Sequence, residues 1–196
     1  MIDTRPDPLV KADWPLRTER LVIRRMGLAD IEPTWAFRSL PEVAEWVTTA
    51  FSDLDAYRKI FERPDILESS LVIEHHGFIV GDLMLRITDP WSQTEVREQG
   101  NGTQAELGWT IAPAHQGNGY ATEAVRTVLD ACFGPLGLRR VVAECFAENE
   151  ASWRLMERLG MRRESHTIKD SLHRTRGWLD GLSYAILAEE WAAPTR

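Results

Sequence analysis

Apolar positions along this 196-residue chain switch repeatedly between the alternation of a strand and the wider spacing of a helix face. Alternation over 21–26 predicts a strand, and helical spacing over 30–40, 41–47 and 53–62 predicts short helices. Apolar runs over 71–75 and 78–87 flank His76-Gly77 and predict a hairpin turning there. A further apolar run over 107–112 leads into a glycine-bearing loop and then a well-marked helix. On that helix Ala121, Ala124, Val125, Val128, Leu129 and Cys132 share one face, while Thr122, Glu123, Arg126 and Asp130 occupy the other, and Gly134-Pro135 stops it. A strand over 140–147, another helix and two final strands near 163–169 and 182–187 complete the pattern. It implies an α/β (α+β) domain with a mixed sheet flanked by helices. The stretch 89–104, with Gly100-Asn101-Gly102, is too polar for a core. Its length fits either a lid over a substrate or a plain hairpin extension.

Composition narrows the function. With 43% hydrophobic residues the chain can build one sizeable core. A net charge of −7 disfavours general nucleic-acid binding, which needs clustered Lys and Arg; it suits a cationic partner or simple solubility. No segment approaches the roughly twenty apolar residues that span a bilayer, and Asp3, Arg5, Pro6, Asp7 and Pro8 give the N-terminus no apolar centre, so a cytoplasmic protein with no membrane partner is expected. Cys132 and Cys145 suit reduced, buried thiols. His75, His76, His115, His166 and His173 show no metal-ligand spacing and are expected in surface or turn roles, with no metal. Of the tryptophans, Trp35 suits the core, and Trp46 and Trp91 suit a cleft.

The most telling segment is His115-Gln116-Gly117-Asn118-Gly119-Tyr120-Ala121, between the apolar run and the periodic helix. Two glycines let the backbone turn sharply and present successive N–H groups to an anion at the helix's positive end. The loop has no Gly-Lys-Ser/Thr, as a P-loop would, and lacks the three-glycine spacing of a dinucleotide fingerprint. Its Gln116-x-x-Gly119-x-Ala121 resembles the coenzyme A pyrophosphate loop of the GNAT superfamily of N-acetyltransferases. The segment Asn149 through Leu159-Gly160-Met161 resembles that superfamily's next helix and its ending. Leu16-Arg17-Thr18-Glu19-Arg20-Leu21-Val22-Ile23-Arg24 resembles the opening strand of the RimJ/RimL-type branch, and Ala105-Glu106-Leu107-Gly108-Trp109-Thr110-Ile111 its strand before the loop. The resemblance covers about 16–190, which makes 1–15 an N-terminal extension and 16–196 the domain, and it implies a single GNAT-like domain with a mixed, mostly antiparallel, twisted sheet flanked by helices.

The resemblance implies acetyl-CoA as co-substrate and direct attack by a primary amine, either a protein N-terminus or a small-molecule amine, with a homodimer possible. It implies coenzyme contacts at Trp109, Thr110 and Ile111, at Gln116, Gly117, Asn118, Gly119, Tyr120, Ala121 and Thr122, and at Asn149 and Ser152, with the Ile111 amide as oxyanion donor. Amines arrive protonated, with ordinary pKa values of roughly 8 to 10.4, so a base is needed. Glu106 is the first candidate, as base or as a structural hydrogen-bonding partner. Glu144, which interrupts the apolar strand, is the second. Many relatives carry a tyrosine acid where this chain has Met156, and Ser152 matches the serine that replaces it in the RimL-like branch; Ser152 also fits as a helix-start residue. Asp180 or Tyr184 could approach the acceptor, with a packed turn as the default. The alternative reading is a non-catalytic acyl-CoA-binding module.

Overall fold

The computed structural model describes residues 7–192; Asp3, Arg5 and Pro6 of the polar N-terminus lie outside the described residues. Eight strands form one sheet in the order β1-β2-β3-β4-β5-β6-β8-β7. They are β1 (Leu16–Arg17), β2 (Leu21–Arg25), β3 (Ser70–His75), β4 (Phe78–Thr88), β5 (Gln104–Ile111), β6 (Arg140–Phe146), β7 (Arg162–His173) and β8 (Gly177–Leu187). Every neighbouring pair is antiparallel except β5 with β6. This is the mixed sheet that the alternation of patterns implies, mostly antiparallel as the resemblance implies.

Alternation sorts the strands' side chains between two faces. Ile23, Ile73, Leu83, Leu107, Val141, Ala143 and Tyr184 face a core closed by α6 (Tyr120–Phe133) and α7 (Glu150–Arg158), into which Leu9 and Ala12 also pack. On the opposite face Val72 and Met26 meet Ile31 of α1 (Ile31–Arg38) and Tyr57 and Phe61 of α3 (Leu54–Phe61). Trp35 packs against this second cluster, 5.3 Å from Tyr57, as its periodic position suggests. Short helices α2 (Pro41–Ala44) and α4 (Pro64–Glu68) flank α3; the second was not expected from the pattern.

Three expectations change. Residues 16–24 are not one strand: Thr18 accepts the Leu21 amide at 2.8 Å and closes a turn that folds β1 back on β2, pairing Leu16 with Ile23. The final strands are longer than their apolar cores, because β7 is an edge strand with little to bury. The stretch 89–104 folds as a hairpin extension, holding α5 (Arg97–Gly100), and joins the ends of β4 and β5 remote from the glycine loop. Trp91 within it is 91% exposed and stands outside the cleft, so neither a lid nor a cleft tryptophan is found there.

Candidate active site

The cleft arises from a failure of pairing. β4 pairs with β5 along the whole of Gln104–Ile111, whereas β6 pairs with it only at Gln104, Ala105 and Glu106. Beyond Glu106 the two parallel strands part and leave a wedge-shaped gap. The Ala112 amide donates to Val80 O at 2.9 Å, so the alternation of an antiparallel ladder turns the amides of Trp109 and Ile111 away from β4 and toward the gap. Gly81 lets β4 come this close: a Cβ there would press on the Thr110 carbonyl and sit 2.8 Å from Ile111 Cδ1.

At the open end of the gap lies the glycine loop. Gly117 and Gly119 both adopt φ of +78°, the left-handed region that glycine enters without cost, and Gly119 is the N-cap of α6. The side chains of the loop hold the loop itself. Gln116 Nε2 donates to Ile111 O at 3.1 Å, and Asn118 Nδ2 donates to His115 O and Gln116 O. Tyr120 is buried with its hydroxyl against His75, and Thr122 accepts from Arg158 at 3.1 Å. What remains for a ligand is the row of main-chain amides at the helix's positive end, where the first turn has no intrahelical acceptor.

Arg20, part of the opening-strand phrase but given no role from the sequence, braces this loop. Its guanidinium donates to Asn118 O at 3.1 Å and to Glu123 at 2.5 and 2.8 Å, and lies 5.0 Å from the Tyr120 ring centre; Thr18 donates to Glu123 as well. Arg38 and Asp82 were also missed. They form a two-pronged ion pair with both contacts at 2.5 Å in the wall of the cleft, and Asp82, though it interrupts the apolar run 78–87, was a signal that could have been read. Burial opposes the charge on Arg38, but Asp82 outweighs it and holds the guanidinium above its ordinary pKa.

Glu106 and Glu144 both line the cleft on the face opposite α6 and α7, since Glu106 pairs with Val142 and Glu144 follows two residues later. They differ in company. Glu106 is ion-paired with Arg86, its cross-strand neighbour, whereas exposed Glu144 has no ion-pair or hydrogen-bond partner among the described residues. Asn149 caps α7, its side chain accepting the Ser152 amide at 3.3 Å, and the Ser152 hydroxyl lies against the Cys145 thiol. Met156 is 1% exposed and packs in the core, outside the cleft lining.

Other candidates fall elsewhere. Asp180 bonds His166 and the Lys169 amide, and Tyr184 is buried between Arg163 and Glu157, so neither lines the cleft. His173 is buried rather than at the surface, donating from Nε2 to Glu45 O at 2.8 Å. Cys132 is buried and Cys145 half-buried in the cleft wall; burial pushes their thiols up to about 12 and about 11, which leaves neither suited to be a nucleophile. Trp46 lines the cleft as expected.

Comparison with known proteins places this geometry among relatives. A sequence family described as an acetyltransferase (GNAT) domain matches residues 20–162. YnaD, an uncharacterized N-acetyltransferase of Bacillus subtilis, is 29% identical over 181 residues, covering 90% of this chain and 98% of its own. A GNAT-family acetyltransferase structure from Bacillus anthracis is 26% identical with a TM-score of 0.73, over 89% of this chain and 99% of that one. RimJ of Mycobacterium smegmatis in complex with CoA-disulfide shares the fold with a TM-score of 0.71 at 23% identity, over 88% of this chain and 84% of that one.

Proposed function

This chain belongs to the GNAT acetyltransferase family, and from that membership we propose that it transfers the acetyl group of acetyl-CoA to a primary amine by direct attack. The observation that carries the reading is the splay of β5 from β6 directly beside a left-handed glycine loop at the start of α6. The amides of 117–121 would hold the coenzyme's diphosphate, and the gap-facing amides of Trp109 and Ile111 its pantetheine arm and the thioester oxygen. Arg158, beside the loop on α7, adds positive charge to the same end. The RimJ structure with its CoA-disulfide supports a coenzyme A ligand and a place in the RimJ/RimL-type branch.

In the transfer the amine nitrogen attacks the thioester carbonyl, a C–N bond forms, the C–S bond breaks, and the amine's proton must leave. The partnerless carboxylate of Glu144 is the better placed acceptor for that proton, because Glu106 must first release Arg86. Ser152 can return a proton to the sulfur, although a thiol's ordinary pKa of about 8.5 makes that help small. The inert cysteines favour direct transfer over an acyl-enzyme.

Titration calorimetry with acetyl-CoA tests the cradle; no measurable affinity would end the reading. Thiol release with a panel of amines tests transfer. The E144Q variant is expected to lower kcat about a hundredfold at neutral pH with partial recovery at higher pH, where the amine sheds its own proton. The same loss in E106Q instead would move the base to Glu106. The buried Met156 in place of a tyrosine acid favours a second reading, a binder of acyl-CoA, which would show affinity without thiol release.

A further inference from the structure

Beneath Trp46 a cavity of about 450 Å³ leads away from the coenzyme cleft, sharing Trp46, Glu144 and Cys145 with it. Its floor is the sheet face bearing Glu144 and Phe146 on β6, Ser183 and Gly181 opposite them on β8, and Ser165 and Thr167 beyond on β7. The segment 45–48 forms its roof. The tip of the β7–β8 hairpin fastens that roof down: His173 donates to Glu45 O, and Arg174 donates to Ala44 O and, at 2.6 Å, to Val47 O. His173 Nδ1 accepts the amides of Thr175 and Arg176, which puts the proton on Nε2 where the roof needs it.

The lining has a definite polarity. Trp46, Phe146 and His173 form an aromatic group with ring centres 5.2 to 6.1 Å apart. Glu45 is answered by Arg176 at 3.3 Å, and the Arg174 guanidinium is engaged with carbonyls. Among the described residues two carboxylates of the lining, Glu144 and Asp170, are left without a cation. Glu144 stands at the junction with the coenzyme cleft, and Asp170 folds over Gly181, where a Cβ would meet Ser171 Oγ at 2.7 Å, Thr167 Oγ1 at 2.8 Å and Asp170 Oδ1 at 3.1 Å. Thr167 and Ser171 both donate to Asp170 Oδ1, at 2.6 and 3.0 Å, and fix it there. Glu144 lies opposite Ser183 and Asp170 over Gly181, so the two acidic poles are set diagonally, one two-residue step along the strands and one strand across, about 8 Å apart at the main chain.

We infer that this cavity is the acceptor channel and selects a linear primary amine that carries a second cation. The inference rests on the transferase reading above. The reacting nitrogen lies at Glu144, where it gives up its proton. The distal ammonium stays protonated on Asp170, and the methylenes between them cover Trp46 and Phe146. A chain of about four to six methylenes matches the separation of the poles.

The test uses the full chain saturated with CoA, the product form, titrated calorimetrically with 1,5-diaminopentane, with pentylamine, and with a tripeptide bearing a free α-amine. The diamine should bind roughly tenfold tighter than pentylamine, the effect of one charge-assisted contact. D170N keeps the hydroxyl bonds but not the charge, and should abolish most of that ratio while CoA affinity, measured in the same preparation, is retained. Equal binding of diamine and monoamine, a ratio that survives D170N, or a tripeptide that binds more tightly than the diamine would each overturn the inference and leave the coenzyme site intact. Loss of CoA binding in the wild-type chain would instead defeat the transferase reading itself.

Discussion

Arg20 has no chemistry of its own to offer an acyl transfer, yet it sets the shape of the loop that would bind the coenzyme. It joins a loop carbonyl to Glu123, one turn into α6, and with Thr18 fastens the β1–β2 turn to the helix start. Burial alone would raise the Glu123 carboxyl; the hydrogen bonds from Thr18 and Arg20 outweigh it and hold the group below its ordinary pKa. R20A should therefore raise the Kd for acetyl-CoA by roughly three- to tenfold, appearing in KM more than in kcat, since about 1 kcal/mol of loop ordering is lost. A Kd within twofold of wild type would show that the loop stands without its brace. The residues Thr18 and Arg20 were visible as part of a family phrase, but their shared partner Glu123 was not. Residues far apart in sequence leave no local mark of their contact.

At the level of elements, local patterns were read well where one face is buried and poorly elsewhere. The α6 helix matched its periodicity because it buries Ala124, Val125, Val128, Leu129 and Cys132. The edge strand β7 buries only His173 and showed little alternation. The cleft-lining end of β5 is held by the close approach of β4, which gives glycine positions different weights. G81A places a Cβ against Thr110 and Ile111, and should cost about 1–3 kcal/mol by overpacking while weakening acetyl-CoA binding. G108A, on the neighbouring strand, makes ordinary contact with Met84 Cε at 3.6 Å and Cβ at 3.9 Å and should shift stability by less than about 1 kcal/mol. Melting temperatures of the two variants, measured side by side, check the contrast; equal shifts would mean that the close approach at Gly81 does not matter.

Across the whole molecule, ion pairs join the two ends of the sheet to the elements beside them, and they set the acid limit of stability. Hydrogen bonds from Arg140 and then Arg162 outweigh burial and bring the Glu164 carboxyl down to about 2 from an ordinary 4.5; Arg24, ahead of the Gly27 amide, lowers Asp30 in the same direction. A carboxyl whose pKa is depressed by folding contributes stability above its unfolded value and loses it as pH falls through the folded one. Thermal melts should therefore decline between about pH 4.5 and 2, and E164Q should show a shallower decline there, by at most about 1 kcal/mol because the pair is partly exposed. Identical pH profiles for E164Q and wild type would remove Glu164 from this account. By itself the sequence determined the glycine loop, the helix behind it and the succession of strands, since left-handed glycines, caps and periodicity are encoded within a few neighbouring residues. Only tertiary structure decided that β5 and β6 part after Glu106, that Arg86 engages Glu106 while Glu144 stands alone, and that a hairpin tip closes a channel under Trp46. Those outcomes depend on strand register and on side chains that meet across the sheet, which no stretch of neighbouring residues specifies.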